Sequence, residues 1–252
     1  MDKNEHSIFA YVMNQLDENG IYQGGALIDD PTPSLPRPLG SDDAYIYTAE
    51  MPPDLPGAEA VCSMLLAYAD EPSATAKAVL EEALIKILCV SVCDPLVELL
   101  SEDEVPEPLL ALAEDWLYTA HKRELVKYAI VILAVFGLEK LRKEHSENLW
   151  DDLVDLCRCE EFTFFLTFAY RINNIAPQDE LWELVRSTRG WGRIFTLYDL
   201  ECTTEEEEIW LLRHGCEIEI DYAPICLVVM RKGQLLHLSL IHISEPTRQE
   251  AI

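Results

Sequence analysis

The sequence predicts an all-α protein: an irregular α-solenoid of stacked helical hairpins, preceded by a proline-rich irregular arm. Three observations predict it. Half of the 14 prolines fall between Pro31 and Pro56, and rings without an amide donor bias that stretch toward extended, irregular backbone. From about residue 58 to 237, apolar residues recur at helical spacing in one segment after another. No strand–helix alternation marks a parallel sheet.

The elements follow in order. Ile8, Phe9, Val12, Met13 and Leu16 give a short amphipathic helix that Asn19-Gly20 closes. Tyr45-Ile46-Tyr47 suits a short strand or a packing contact. Helices are predicted over 58–69 and 73–92, the second stopped at Asp94-Pro95, with a short turn after it. Residues 107–120 put Leu109, Leu112, Ala113, Trp116, Leu117 and Ala120 on one stripe. Residues 123–136 are apolar nearly all round, as in a centrally packed helix, and Gly137 offers a stop. Residues 148–157 and 162–172 form the next pair, and 181–187 follows Pro177. Thr203 and Thr204 each stand three residues before a glutamate, the capping-box spacing, and Glu205 to Glu208 complement the positive end of the helix dipole. Gly215 is read as a left-handed stop, and a last helix over 221–232 ends at Gly233. Pairs at 107–136, 148–172 and about 203–232 make a degenerate HEAT/ARM-like repeat. The expected organisation is an acidic arm over 1–57 with one short helix, a helical-repeat domain over 58–237, and a separate tail over 238–252.

That tail reads differently from the rest. The run from Leu238 to Arg248 (LSLIHISEPTR) is similar to the conceptual translation of a transposon-type sequencing adapter. Residues 238–252 are therefore expected to be an artefact, the native chain to be truncated after His237, and His242 to carry no functional weight.

Composition bounds the partners. The 252 residues carry 46 acidic and 19 basic side chains, a formal charge of −27. That balance speaks against a generic phosphate-backbone binder, so no nucleic acid partner is expected. An apolar fraction of 49% supports a real core rather than disorder. Eight cysteines without a secretory N-terminus suggest a reducing, cytoplasmic setting. The longest apolar run, 128–138, is too short to span a membrane.

No pattern signals catalysis. Cys157-Arg158-Cys159 and Cys89/Cys93 lack the second ligand pair a zinc site needs, and read better as buried apolar thiols. His145-Ser146-Glu147 has metal-triad spacing but no partner histidine. Gly190-Trp191-Gly192 lacks the third glycine and preceding strand of a phosphate loop. No catalytic, metal or cofactor residue is assigned. Charge is uneven: residues 1–105 hold 20 acidic and 4 basic side chains, whereas 106–145 hold six of each. Lys122, Arg123, Lys127 and Arg142 belong to that basic cluster. They suit either solvated helix ends or a notch that receives an acidic peptide, the chain's own arm among the options. Trp191 and Arg193 suit either a recognition pair on a groove rim or, the favoured reading, an indole plugging the core beneath an inter-helix turn.

The segments Gly190-Trp191-Gly192-Arg193-Ile194 and Trp210-Leu211-Leu212-Arg213-His214-Gly215-Cys216 resemble a family of bacterial, cytoplasmic HEAT-like proteins of Clostridia and relatives. That family often carries the automatic label "limonene hydroxylase". The resemblance covers residues 161–233, with one departure: Glu207 stands where the family has an apolar residue. It implies a helical-repeat fold. No catalytic motif accompanies the hydroxylase label.

The expected function is a non-enzymatic interaction scaffold for an unidentified protein or peptide. The candidate contact residues are Trp191, Arg193, Lys122, Arg123, Lys127 and Arg142. A terpene hydroxylase, and an acidic inhibitor or immunity-type protein covering a basic partner, are the alternatives.

Overall fold

The structure, a computed structural model, describes residues 6–30, 37–101, 104–144 and 148–235. The adapter-like tail, His145-Ser146-Glu147 and Pro31 to Pro36 lie outside them. Among the described residues there are fourteen helices and no strand, only an isolated antiparallel bridge between Leu16 and Tyr22.

The arm holds two helices rather than one. Helix α1 (Ile8–Met13) starts at Ser7, whose hydroxyl accepts the Ala10 N–H. Helix α2 (Ser41–Thr48) replaces the short strand considered for Tyr45-Ile46-Tyr47. Gly40 turns the chain into it at φ 73°, and Asp42 and Asp43 occupy its positive end. Both helices join the main core: Ile8, Val12 and Ala44 are completely covered, and the Ile8 N–H donates to the Ala120 carbonyl at 2.9 Å.

Helix α3 (Leu55–Asp70) is capped by Asp54, and α4 (Ala74–Leu84) by Ser73. The predicted helix over 73–92 is in fact broken after α4. A new helix, α5 (Cys89–Leu100), begins there and runs straight through Pro95. Proline usually ends a helix because the carbonyl four residues back loses its donor. Here that carbonyl, on Ser91, accepts the Asp54 N–H at 2.9 Å instead. A tertiary donor fills the place of the missing amide.

Helices α6 (Glu107–Thr119) and α7 (Arg123–Phe136) match their predicted spans closely. Every residue of α7 from Glu124 to Ala134 is buried, and Gly137 ends it at φ 108°. The unforeseen α8 (Leu138–Glu144) follows at once, its Leu138 N–H held by Asn173. Then come α9 (Leu149–Leu156), α10 (Thr163–Ile172), α11 (Gln178–Ser187), α12 (Gly190–Asp199), α13 (Glu205–His214) and α14 (Ile225–Lys232).

Two readings near the end are corrected. The capping box of α13 is present at Thr204 and Glu207, but Gly215 is not left-handed; its φ is −61° and ψ −26°. Glycine is needed there for closeness, since a Cβ would stand 2.6 Å from Val229 Cγ2 on α14. Gly190-Trp191-Gly192 is not an inter-helix turn but the first turn of α12.

Packing forms a continuous row in which α5 touches α7, α7 touches α10, α10 touches α12 and α12 touches α14. Helices α3, α6, α11 and α13 lie alongside this row, against α5, α7, α12 and α14 respectively. Helix α1 lies on α6 and α9, and α2 on α5. Helix α7 is the hub, and the candidate site is built on its first turn.

Candidate interaction site: an ion network beneath the N-terminal arm

Arg123, Glu124 and Lys127 lie within the first turns of α7. Lys122, the residue preceding the helix, gives no side-chain cap, so the first amides of α7 need acceptors from elsewhere. Asp29 of the arm supplies one. Its Oδ2 accepts the Arg123 backbone N–H at 2.9 Å, while its Oδ1 accepts Nε at 3.0 Å and Nη2 at 2.8 Å. Asp30 also pairs with Nη2, and Glu161 approaches Nη1 at 3.3 Å.

Lys127 is buried more deeply, with its side chain 1% exposed. Its Nζ stands 2.8 Å from Asp43, 3.0 Å from Glu124 and 2.8 Å from Glu161. A buried ammonium without partners carries a desolvation cost of several kcal/mol, roughly, which three carboxylates offset. Burial pulls its pKa down, but Asp43, Glu161 and Glu124 hold it well above the ordinary lysine value.

The carboxylates divide in their response. Burial pushes Asp43 up to about 7 against the pull of Lys127, helped by the like charges of Glu161 and Glu124. Neither Asp43 oxygen receives a well-aligned hydrogen bond. Glu161 is also desolvated, yet Lys127 and Arg123 hold it below its usual range. Five carboxylates (Asp29, Asp30, Asp43, Glu124, Glu161) thus surround two cations, and Asp43 is the one driven toward its neutral form.

The acids also cap helices. Glu124 accepts the Cys89 N–H at 2.7 Å, where Leu88 leaves α5 without a side-chain cap. Glu161 accepts the Gly40 N–H at 2.8 Å, ahead of α2. Glu160, pushed up to about 7 by burial, accepts the Arg189 N–H at 3.2 Å, ahead of α12. Each is a helix start with no acceptor on its own N-cap side chain, satisfied from far along the chain.

Of the six candidate contact residues, Arg123 and Lys127 come together here, engaged by the chain's own acids. Lys122 is exposed at the rim. Arg142, on α8, lies 4.2 Å over the Trp150 ring and pairs with Glu180, away from the network. Trp191 is half-buried, its ring 5.0 Å from Tyr222 and 6.2 Å from Phe195. Arg193 is 9% exposed; its guanidinium donates to the Thr188 and Glu217 carbonyls, both at 2.9 Å, tying α12 to the loop after α13. Lys127 and Arg193 are therefore internal fasteners, not an exposed recognition surface.

The acidic half of the network escaped sequence reasoning. The available signal was a set of helix starts, at Leu88, Lys122 and Arg189, without capping residues in an acid-rich chain.

Beside the network, α4, α6 and the start of α7 enclose an open groove of about 770 Å³. Lys77, Glu81, Asp115, His121 and Lys122 line it, with Ile85 and Leu125 as its apolar floor. Val79 on α4 and Ile85 just after it are exposed, at 65% and 37%. Among the described residues no group of three or more His, Cys, Asp or Glu side chains has metal-binding geometry. No described helix is long and apolar enough to cross a membrane. Comparison with protein-family models, curated proteins and solved structures finds no match to this chain.

Proposed function

We propose that the protein is a helical interaction scaffold of the HEAT-like solenoid type, binding a protein or peptide partner without catalysing a reaction. The observation that carries this reading is the docking of three acidic residues of the arm, Asp29, Asp30 and Asp43, onto the basic start of α7. The helical body already receives one peptide, its own arm. The row of contacts from α5 to α14 suits stacked helical pairs, in which each pair presents surface to a partner. The groove beside Lys122 is the site for a partner in trans, because it combines an exposed apolar side chain, Ile85, with both signs of charge.

The test is affinity capture with the full chain, followed by reconstitution with the captured protein in pure form. Lys122→Glu and Ile85→Asp are expected to weaken the reconstituted complex about tenfold or more, near 1.4 kcal/mol each, at unchanged melting temperature. A purified chain that carries a chromophore and turns over a terpene would contradict the reading, as would a complex indifferent to both variants.

A further inference from the structure

Two cysteines stand apart from the other six. Cys216 and Cys226 are the exposed ones, whereas Cys62, Cys89, Cys93, Cys157 and Cys159 are buried and Cys202 is half-covered. Their sulfurs lie 3.5 Å apart, with the Cys216 thiol donating to Cys226 Sγ. Cys216 sits just after α13 and Cys226 is the second residue of α14.

The loop between them is held from outside. The Gly190 N–H donates to the Ile218 carbonyl at 2.9 Å, and Arg193 holds the Glu217 carbonyl at 2.9 Å. Glu219 turns the chain at φ 61°, and Gly215 lets α13 and α14 approach closely. These contacts fix the start of the loop, and the close approach of α13 and α14 keeps the sulfurs near each other. The Cys89/Cys93 and Cys157/Cys159 pairs have no such access; burial pushes all four of their thiols up and leaves them inert.

We propose that Cys216 and Cys226 form a reversible thiol-oxidation site whose substrate is a low-molecular-weight disulfide, with glutathione disulfide as the type case. Cys226 attacks one sulfur of the external disulfide as its thiolate, forming a mixed disulfide and expelling one glutathione thiolate. Cys216 loses its proton and attacks the Cys226 sulfur of that adduct, expelling the second glutathione. Two protein thiols are oxidised to one disulfide, and one glutathione disulfide is reduced to two thiols. The hydrogen bond sets the order. Partial burial and the hydrogen bond to Cys226 push the Cys216 thiol up to about 11, which makes Cys216 the proton-bearing partner of the pair. The product staples α13 to α14 and fixes the loop that Arg193 holds.

The experiment treats the full chain with glutathione disulfide near neutral pH, then applies intact-mass analysis and peptide mapping. The expected result is loss of about 2 Da with no retained glutathione, and a cross-linked peptide joining Cys216 to Cys226. The melting temperature should rise by about 4 °C or more, reversibly with dithiothreitol. Cys216→Ser should stop at a stable glutathione adduct on Cys226. A chain that keeps both thiols, that forms its cross-link through other cysteines, or that stops at the adduct with both residues present would overturn the proposal.

Discussion

Asp29 closes the first turn of α7 at Arg123 from 94 residues away in the chain. One carboxylate satisfies both the backbone amide and the guanidinium of the same residue, at distances between 2.8 and 3.0 Å. A helix start without a cap of its own thereby becomes the anchor for the N-terminal arm. Glu124 and Glu161 do the same for α5 and α2, so the arm and the helical body complete each other's hydrogen bonds.

Lys127 is the first position to test. Lys127→Met leaves Asp43, Glu124 and Glu161 beneath the arm without their shared cation. The expected loss is about 3–5 kcal/mol, the range for a buried pair broken on one side. Combining it with Asp43→Asn should recover part of that loss, because one of the orphaned charges is gone. Urea unfolding of the parent and these two variants measures both effects; a Lys127→Met protein as stable as the parent would contradict the network.

Stability should fall as pH rises from about 5 to 8. Burial pushes both Asp43 and Glu160 up to about 7 in the folded chain, well above the ordinary carboxylate range. Between those limits the native state binds more protons than the unfolded chain, so raising the pH favours unfolding. Glu161 acts oppositely, but its folded pKa is lowered, so its contribution is lost only at more acidic pH. Melting temperatures across pH 5–8 should therefore decline, and Asp43→Asn should flatten the decline. A melting temperature that climbs through this window would refute the assignment.

The legible parts of the fold are those with local causes. Helix α7 is apolar nearly all round after its first turns and bounded by Gly137, and α13 carries its capping box at Thr204 and Glu207; both could be read from neighbouring residues alone. The failures share a non-local cause. Helix α5 passes Pro95 because Asp54, forty-odd residues earlier, supplies the Ser91 carbonyl with a donor. Helix α2 forms because Gly40 is anchored by Glu161, which no window around Tyr45 reveals. The cations of the site, Arg123 and Lys127, stood out against an acidic background. Their acidic partners did not, because 46 carboxylates leave nothing to distinguish the five that join the network.

Trp191 fills the seam between α12 and the chain before α14. Its ring is packed on Tyr222 and Phe195 but stays half-exposed, so Trp191→Ala should cost about 2–3 kcal/mol, below the full cost of a buried aromatic. Thermal melting checks this. A shift within one or two degrees of the parent would return Trp191 to the list of recognition residues.

Gly215 is required by closeness rather than by backbone angle. Gly215→Ala brings a methyl against both the Leu211 carbonyl and Val229 and should destabilise by about 1–3 kcal/mol, the usual range for overpacking. Pairing it with Val229→Ala should return part of the loss by clearing that contact. If the double variant is simply the sum of the two singles, Val229 is not part of what Gly215 makes room for.

The most direct measurement is a double-mutant cycle on Asp29 and Arg123, read by urea unfolding of Asp29→Ala, Arg123→Ala and the combination. If the arm is latched to α7 by this pair, the coupling should be about 1–3 kcal/mol. Asp29→Ala should still cost about 1 kcal/mol in the Arg123→Ala background, because the cap on the backbone amide remains to be lost. A coupling below about 0.3 kcal/mol, with Asp29→Ala neutral in both backgrounds, would contradict the latch.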